Sequence, residues 1–338
     1  MVIVFGAAGF IGTYLVHQLV SEAFDVLAVD TDKRGEAYYN AQKIPFMCVD
    51  VTREEEFGIL PKGAAHCVIN LACLQPANVR EEEYNPKDYI TVNVLGMLNI
   101  LEFARKTRTH KIIYTMSHRA VQGLWKYRKP VSENSAKAIK YTGEYAMYSI
   151  SESAAADCVK YYSKQYGMQA IIFRLPPVYG YGPHLEGFRN GKPVKTGFQV
   201  FIENAIAGRP VELWGDCEKG RDIIYVKDVV SALILALKNE RANGLYNIAS
   251  GKLLSLKEEA QEIIRVFSPR DRPSELVFRP DIPNSIESFL YDISKAELDL
   301  QWSPKYSFPE MLLDYKREME SGRFDFLLEK RRQMMTDK

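Results

Sequence analysis

The chain of 338 residues carries 44 Lys and Arg against 43 Asp and Glu, a formal net charge of +1, and is 46% hydrophobic. This composition is typical of a globular protein with one large domain or two modest ones. The balanced charge argues against nucleic acid or an anionic membrane as a partner. No apolar run approaches the roughly 20 residues that a transmembrane helix needs, so we expect no membrane association.

Cysteine usage indicates the compartment. The five cysteines are odd in number and contain no Cys-x-x-Cys, which predicts free thiols in a reducing environment. The chain opens on a strand-like run instead of a leader pattern, so we expect a cytoplasmic protein. The histidines lack metal-ligand spacing, and no metal site is predicted.

Apolar runs of strand length alternate with helical patterns through the first half of the chain. Strands are predicted at 2–5, 26–30, 46–50, 67–71, 111–115 and 170–174, and helices near 11–22, 89–106 and 145–166. Short buried strands separated by helices of about ten or more residues predict parallel βαβ crossovers. The fold class is therefore α/β, with a doubly wound parallel sheet.

The second half of the chain differs in composition. After residue 174, Pro and Gly become frequent, which predicts a long, mobile loop region. Helices near 198–207 and 226–238, strands near 211–214 and 245–248, and a proline-broken stretch at 273–284 follow. The charged segment 322–338 is predicted to be a solvated terminal helix or a frayed tail.

The first strand runs into a glycine-rich turn at residues 6–12, which opens a helix. Gly6 suits a tight turn, Gly9 lets the backbone approach a pyrophosphate, and Gly12 lets the helix pack on the strand. The N–H groups at the helix N-terminus favour phosphate. An isolated match of this kind is weak evidence, but its place at the first strand-to-helix junction predicts dinucleotide binding.

Asp30 indicates which dinucleotide is bound. It ends the second predicted strand, 18 residues after Gly12, where an acidic side chain would bind the adenosine ribose 2′-hydroxyl. A carboxylate repels a 2′-phosphate, so NAD is the predicted cofactor. Lys33 and Arg34 leave NADP as a less favoured alternative.

The Gly-x-x-Gly-x-x-Gly spacing resembles the short-chain dehydrogenase/reductase superfamily, specifically its extended branch of NAD-dependent nucleotide-sugar epimerases and dehydratases. Further segments resemble the family in unbroken order over roughly residues 2–315; they lie at 48–52, 68–72, 92–102, 174–183, 214–216, 221–229, 246–251, 279–281 and 292–295. The resemblance implies a Rossmann-type sheet with a smaller C-terminal α/β substrate-binding part.

The implied domains follow the same resemblance. The Rossmann domain is expected over 1–178, with 215–250 returning to it, and the substrate-binding part over 179–214 and 251–315, followed by a charged helical tail at 316–338. Helices near 89–106 and 145–166 carry two apolar faces, which suggests the four-helix homodimer contact common in the family. The implied cofactor-binding residues are Gly6, Gly9, Phe10, Ile11, Gly12, Asp30, Asp50, Val51, Leu71, Ala72, Asn93, Tyr148 and Pro176.

Family members oxidise a sugar hydroxyl by passing hydride to bound NAD, rearrange the ketone and often return the hydride. Their catalytic residues are a Ser or Thr together with a Tyr that is followed four residues later by a Lys. Here the resemblance assigns Ser117 and Tyr148 to the first two roles, but Glu152 stands where the lysine is expected. A carboxylate one helical turn away disfavours tyrosinate, so Tyr148 is expected to be a poor proton acceptor at neutral pH.

Three explanations of Glu152 remain open. The protein is an enzyme with altered chemistry, in which Glu152 is the general base or a lysine such as Lys137 or Lys140 supplies the charge. Alternatively, it is a non-catalytic NAD(P)-binding sensor or partner protein, because fold does not dictate function. In the third explanation Glu152 points to solvent. The first is the leading hypothesis.

The substrate side is expected to bind a nucleotide sugar. Arg221 and Arg279 occupy positions where the family places arginines on a nucleotide diphosphate, and surface ion pairing is their alternative role. His118 follows Ser117 and is a candidate acid or base toward the substrate, or else a loop residue bonded to backbone. The family commonly has Asn where Pro177 stands, so one expected substrate hydrogen bond is missing.

Overall fold

The centre of the protein is a parallel β-sheet. The computed structural model describes residues 1–126, 128–182, 186–189, 191–284 and 286–329, with only the backbone of Arg34 and Glu186. The strands are β1 (Val2–Phe5), β2 (Val26–Asp30), β3 (Phe46–Cys48), β4 (Cys67–Asn70), β5 (Lys111–Ser117), β6 (Pro130–Val131), β7 (Gln169–Leu175), β8 (Val178–Tyr179), β9 (Glu186–Arg189), β10 (Lys192–Lys195), β11 (Val211–Trp214), β12 (Gly220–Arg221), β13 (Ile224–Tyr225), β14 (Gly244–Asn247), β15 (Leu254–Ser255), β16 (Leu276–Arg279) and β17 (Leu290–Tyr291).

Helices connect these strands. They are α1 (Phe10–Ser21), α2 (Lys33–Asn40), α3 (Pro86–Ile90), α4 (Gly96–Lys106), α5 (Ala146–Tyr166), α6 (Gly197–Ile206), α7 (Val226–Lys238), α8 (Leu256–Phe267), α9 (Ser294–Leu300) and α10 (Phe308–Glu320). Short 3-10 turns occupy 54–59, 76–78, 81–83 and 118–124, and one π-helical turn spans 91–95.

Seven strands pair in the order β14-β7-β5-β4-β1-β2-β3, and every neighbouring pair is parallel. The order runs outward in both directions from β1 and β4, which is the doubly wound topology. The predicted fold class is confirmed. Because parallel strands end at one edge, the turn after β1 and the end of β5 lie on the same side of the sheet, where ligands bind in such folds.

Successive side chains along each strand point to opposite faces of the sheet, and each face packs into its own hydrophobic core. Val2 and Val4 of β1 face one hydrophobic cluster, which also contains α1 and α7 residues, whereas Ile3 and Phe5 face a second cluster with α4 and α5 residues. A strand that is buried on both faces reads as a continuous apolar run, and this is why β1 shows no polar alternation.

Several regions differ from the sequence predictions. The helix predicted near 89–106 is divided into α3, the π-helical turn at 91–95, and α4. The Pro- and Gly-rich region contains the antiparallel β9–β10 hairpin, and the proline-broken stretch contains β16, which pairs with β11. Helix α2 was not predicted. These elements gain strand pairing or packing that local composition does not reveal.

The C-terminal segment is also not simply solvated. Phe324, Leu327 and Leu328 are buried in the cluster that contains α1. The Arg323 guanidinium lies 4.6 Å from the centre of the Tyr14 ring. The predicted solvated tail is therefore wrong for its described part; residues 330–338 of that prediction lie outside the described residues.

Candidate functional site

The glycine turn between β1 and α1 leaves no room for side chains. Gly6 has φ of +78°, and a Cβ there would lie 2.6 Å from the Ala72 backbone nitrogen and 2.7 Å from the Leu71 carbonyl carbon. A Cβ on Gly12 would lie 2.2 Å from the Gly6 carbonyl oxygen. The turn therefore packs directly against the residues after β4, and only glycine fits at either position.

Helix α1 begins at Phe10, followed by Ile11 in its first turn. Its N-cap residue is Gly9, which has no side chain to accept a hydrogen bond from the first N–H groups of the helix. The Gly9 N–H donates to the Gly6 carbonyl at 3.2 Å, and the Thr13 N–H donates to the Gly9 carbonyl at 3.0 Å. An uncapped helix start at the ligand edge of a parallel sheet is suited to bind phosphate oxygens.

Asp30 lies beside this turn at the end of β2. Its carboxylate accepts from the Ala8 N–H at 2.9 Å and from the Asp32 N–H at 3.0 Å. Burial raises the pKa of Asp30, and the backbone donors act in the opposite direction. The carboxylate is thus fixed next to the turn in a position suited to ribose hydroxyls.

The other expected cofactor-binding residues lie at the same edge of the sheet, where the parallel strands end. Asp50 accepts from the Thr52 N–H at 2.9 Å and hydroxyl at 2.8 Å, and Val51 is buried with its carbonyl accepting from Asn99 at 2.8 Å. Pro176 is buried just after β7. These residues fix the ends of strands, and their role as ligand contacts stays a prediction.

Asn93 has a structural environment that the sequence did not reveal. In the π-helical turn, its side chain donates to the Leu74 carbonyl at 3.0 Å and accepts from the Leu74 N–H at 2.7 Å. It also donates to the Ser151 hydroxyl at 2.9 Å. Asn93 therefore holds the segment after β4 against α5, and its described hydrogen bonds all go to protein atoms.

Ser117, Tyr148 and Glu152 come together where β5 ends against α5. The Ser117 hydroxyl lies beside the Tyr148 hydroxyl, which in turn lies beside the Cys73 thiol. Ser117 also accepts from the Arg119 N–H at 3.2 Å. The Tyr148 hydroxyl thus lies between the Ser117 hydroxyl and the Cys73 thiol.

Glu152 lies behind this pair. Its side chain is only 2% exposed; one oxygen accepts from the Tyr114 hydroxyl at 2.9 Å and the other from the Ser117 N–H at 3.0 Å. The explanation in which Glu152 points to solvent is therefore wrong. Burial raises the pKa of Glu152 to about 7, although both hydrogen bonds favour the carboxylate.

The buried carboxyl affects the tyrosine. Burial first, and then the nearby Glu152 carboxylate, raise the pKa of Tyr148 well above its usual range. The adjacent Ser117 hydroxyl and the positive charge of Arg119 act in the opposite direction on this pKa. The Glu152 carboxylate therefore disfavours the ionised form of Tyr148, as expected from the sequence.

Neither candidate substitute lysine pairs with this cluster. Lys137 forms an ion pair with Asp157 and also donates to the Ser153 carbonyl at 3.4 Å. Lys140 lies 4.0 Å from Glu287. Both ammonium groups are thus engaged by other carboxylates.

His118 lies in an aromatic cluster. Its ring stacks on Trp125 at 4.7 Å and meets Phe289 edge-on at 4.7 Å, and Nδ1 lies 3.0 Å from the Tyr291 hydroxyl. Burial, together with the charges of three nearby arginines, lowers the pKa of His118 well below its usual range. Such an enclosed, neutral imidazole packs the segment after β5, and this position does not support the expected role of an acid or base that faces substrate.

The two substrate-side arginines lie on the second part of the chain; Arg221 is one of the three arginines near His118. Arg221 donates to the Tyr179 hydroxyl at 2.6 Å and pairs with the buried Glu259 at 3.4 Å. Arg279, at the end of β16, pairs with Glu212 at 3.2 Å, with both side chains nearly half exposed. Arg221 is held in place by buried partners, whereas the Arg279 pair is weak and open to exchange.

Sequence reasoning missed Tyr114, Cys73 and Arg119. Tyr114 had a signal in the sequence: in β5, Ile112, Tyr114 and Met116 share one face through the two-residue period, and this face packs on α5. Cys73 and Arg119 follow strand ends, where loop geometry decides direction, and no local pattern indicates where they point. Within the described ranges, no cluster of metal-ligand side chains exists and no helix is both long and apolar enough to cross a bilayer.

Comparisons with known proteins identify the family. The sequence pattern of the NAD dependent epimerase/dehydratase family matches residues 2–249. A putative UDP-glucose 4-epimerase of Methanocaldococcus jannaschii is 30% identical, with 92% of this chain and 95% of that protein aligned. A dTDP-4-dehydro-6-deoxyglucose reductase of Escherichia coli is 24% identical, with 90% of this chain and 92% of that protein aligned.

The structural comparison agrees. The crystal structure of UDP-glucose 4-epimerase from Thermotoga maritima, solved with UDP-glucose, superposes with a TM-score of 0.76 at 25% identity. The match covers 94% of this chain and 99% of that one. With its glycine turn, seven-stranded sheet and the resemblance over nearly its whole length, this chain belongs to the NAD-dependent epimerase/dehydratase family.

Proposed function

We propose that this protein is an NAD-dependent enzyme that acts by hydride transfer on a hydroxyl or ketone of a nucleotide-linked sugar, by epimerisation, dehydration or reduction. One observation carries the proposal: the Ser117 and Tyr148 side chains lie next to each other at the end of β5, on the same sheet edge as the glycine turn. The pair that would handle the substrate proton and the turn that would hold the cofactor thus lie at one edge of the sheet.

The residues present fit NAD. Gly6 and Gly12 let the turn pack directly on Ala72 and on its own backbone, and Gly9 leaves the start of α1 without a side chain in front of its N–H groups. Gly6, Gly9 and the first turn of α1 would hold the diphosphate, and Asp30 would accept from the adenosine ribose hydroxyls. When bound, NAD supplies an acceptor and donor of hydride.

Three side chains would handle the proton at the sugar oxygen. Ser117 would donate a hydrogen bond to that oxygen, and Tyr148 would take up or return the proton. Glu152 is a positioning residue, because it fixes the Ser117 backbone and the Tyr114 hydroxyl without itself contacting the Tyr148 hydroxyl in the described hydrogen bonds. With a pKa of about 7, its charge changes near neutrality and modulates the proton affinity of Tyr148.

A nucleotide sugar is the substrate class that the similar proteins support, since the Thermotoga maritima structure contains UDP-glucose. Arg221 and Arg279 would contact the diphosphate, because a guanidinium matches phosphate oxygens in pairs. The ion pair of Arg279 with Glu212 is exposed to solvent, so a substrate phosphate can replace Glu212 as the partner of Arg279 at a small cost in free energy.

The test uses Tyr148→Phe. Purified protein is mixed with NAD and a panel of nucleotide sugars, and turnover is followed by nicotinamide absorbance and product NMR. We expect turnover to fall about 10²- to 10⁴-fold in Tyr148→Phe, with NAD affinity nearly unchanged. Tyr141→Phe is the matched control, because Tyr141 is 74% exposed and lies seven residues earlier. Unchanged turnover in Tyr148→Phe would contradict the assignment.

The competing function is a non-catalytic, NAD-responsive binding protein. The observation in its favour is Glu152 in place of the lysine, which leaves Tyr148 with a raised pKa. Tight NAD binding without turnover of any nucleotide sugar in the panel would favour this function over the enzyme.

We also propose a cytoplasmic homodimer. The described cysteines are all free thiols, in accordance with a reducing compartment. Leu95, next to α4, and Tyr161, on α5, are large apolar side chains that are about half exposed, which supports a contact between copies along these helices. Sedimentation velocity of the wild type and of a Leu95→Glu, Tyr161→Glu double variant would test the dimer.

A further inference from the structure

Arg119 is a positive side chain beside the candidate active site that neither the sequence motifs nor the proposed function uses. It lies two residues after Ser117, in the short helical segment 118–124. Its guanidinium carbon lies 3.5 Å from the centre of the Tyr145 ring, and Tyr145 caps the start of α5, three residues before Tyr148. Its charge acts directly on Tyr148.

The guanidinium has little to neutralise it. Its side-chain hydrogen bond goes to the Gln122 amide oxygen at a long 3.4 Å, and no carboxylate in the described ranges forms an ion pair with it. The other arginines around the site differ: Arg221 pairs with Glu259, and Arg279 pairs with Glu212. The buried Arg174 donates to Asn247 and to the Ser132 carbonyl, at 2.8 Å each.

A half-buried cation without an anionic partner is unfavourable unless a ligand supplies the partner. The guanidinium packs over the Tyr145 ring, and the donors that do not contact Gln122 stay available for bidentate contact, a geometry that matches a carboxylate. The position therefore suits an anionic group on a bound molecule.

The location indicates which part of the substrate carries that anion. The Arg119 N–H donates to the Ser117 hydroxyl, and the charge of Arg119 acts to lower the pKa of Tyr148, so Arg119 lies beside the place where the reacting sugar carbon would lie. Arg221 and Arg279 are the residues assigned to the diphosphate. A cavity of about 520 Å³ adjoins Arg119 through Gln122 and Trp125, both of which Arg119 contacts. Its other charged lining residues are Asp216, Glu218, Lys219 and Glu287, so the cation that would offset a ligand carboxylate at the Gln122 and Trp125 side is Arg119.

We propose that Arg119 binds a carboxylate on the sugar ring, so that the preferred substrate is a nucleotide-linked uronic acid. This inference rests on the proposed function, since it assumes a nucleotide sugar at Ser117 and Tyr148. It makes Arg119 a specificity-determining residue.

The test is calorimetric titration of the NAD-loaded protein with UDP, UDP-glucose and UDP-glucuronate, repeated with the corresponding dTDP compounds. We expect the uronate to bind at least about tenfold more tightly than the neutral sugar. Arg119→Gln is expected to abolish that preference while the affinity for UDP-glucose stays within about twofold, and Arg119→Lys to retain part of it. Thermal melting confirms that the variants are folded.

Arg265→Gln is the matched control, because Arg265 lies on the outer face of α8 and pairs with Glu262. An equal loss of affinity for UDP alone in Arg119→Gln would assign Arg119 to the diphosphate and overturn the proposal. A wild type that binds nucleotide sugars without preferring the uronate would overturn it as well, while leaving the proposed function intact. If NAD binds but no nucleotide or nucleotide sugar does, the proposed substrate class and this inference both fail.

Discussion

The glycine turn at residues 6–12 and the junction of β5 with α5 lie on the same edge of one sheet, yet they are built on different constraints. In the turn, backbone atoms approach so closely that a Cβ on Gly12 would lie 2.2 Å from a carbonyl oxygen. At the junction, side chains decide the geometry: Glu152 accepts from Tyr114 and from the Ser117 backbone. Backbone geometry tolerates no substitution, whereas a side-chain network accommodates a new residue when its hydrogen bonds are satisfied.

This difference explains how the family lysine can be replaced. A buried carboxylate needs donors, and two donors are present at hydrogen-bond distance. The junction therefore accommodates Glu152, which places a negative charge next to Tyr148 where the resemblance predicts a positive one. The comparison predicts that binding of cofactor and chemistry at the tyrosine respond separately to mutation.

The largest effect on cofactor binding is expected for Gly12→Ala. The added Cβ clashes with the backbone of Gly6 and Ala7, so the N-terminus of α1 must move away from the diphosphate position. NAD affinity should fall about 100-fold, equivalent to about 2.7 kcal/mol. Calorimetric titration with NAD measures this. Gly58→Ala is the control, because a Cβ there meets nothing within 4 Å. Normal affinity in Gly12→Ala would remove the basis for placing the diphosphate at this turn.

The second prediction concerns the pH dependence of stability through Glu152. Its pKa is raised from 4.5 to about 7, so between these values the folded protein binds more protons than the unfolded chain, and stability falls as pH rises. The corresponding loss is about 3 kcal/mol. Urea unfolding at pH 5 and pH 8 should show a decrease that is smaller by about this amount in Glu152→Gln.

Asp222, whose pKa burial also raises to about 7, keeps part of the pH dependence in the Glu152→Gln variant. Equal decreases in the wild type and in Glu152→Gln would show that Glu152 does not titrate in this window.

Glu152→Lys tests whether the chemistry at Tyr148 depends on the carboxylate, since the substitution leaves the Tyr114 hydroxyl and the Ser117 N–H without their acceptor. We expect it to abolish the native activity, and a faster rate would contradict the altered-chemistry hypothesis.

The smallest effect is expected for Asp30→Asn. The amide oxygen retains an acceptor for the Ala8 N–H, but the negative charge that binds ribose hydroxyls and repels a 2′-phosphate is lost. The ratio of NAD to NADP affinity should fall about tenfold, or ~1.4 kcal/mol. Titrations with both cofactors measure the ratio. Asp25→Asn, at the other end of β2 and exposed, should leave it unchanged.

The C-terminal segment shows where sequence interpretation had a usable signal. Phe324, Leu327 and Leu328 are spaced as one helical face and are buried against the α1 cluster. The surrounding charges concealed this face, because charged composition by itself predicts solvation. Strand β16 had no comparable signal, since it depends on pairing with β11, which lies more than 60 residues away in sequence.

What the sequence determined by itself is the doubly wound sheet, the glycine turn and the position of Asp30, because buried strands, helical periods and glycine spacing act over short stretches of chain. Only the tertiary structure decided that Glu152 is buried beneath Ser117, that His118 is enclosed by aromatic rings, and that Arg119 stands beside Tyr148 without a carboxylate partner in the described chain. The physical reason is that burial and charge neutralisation depend on groups brought together from distant segments, and these contacts set the protonation states on which the chemistry depends.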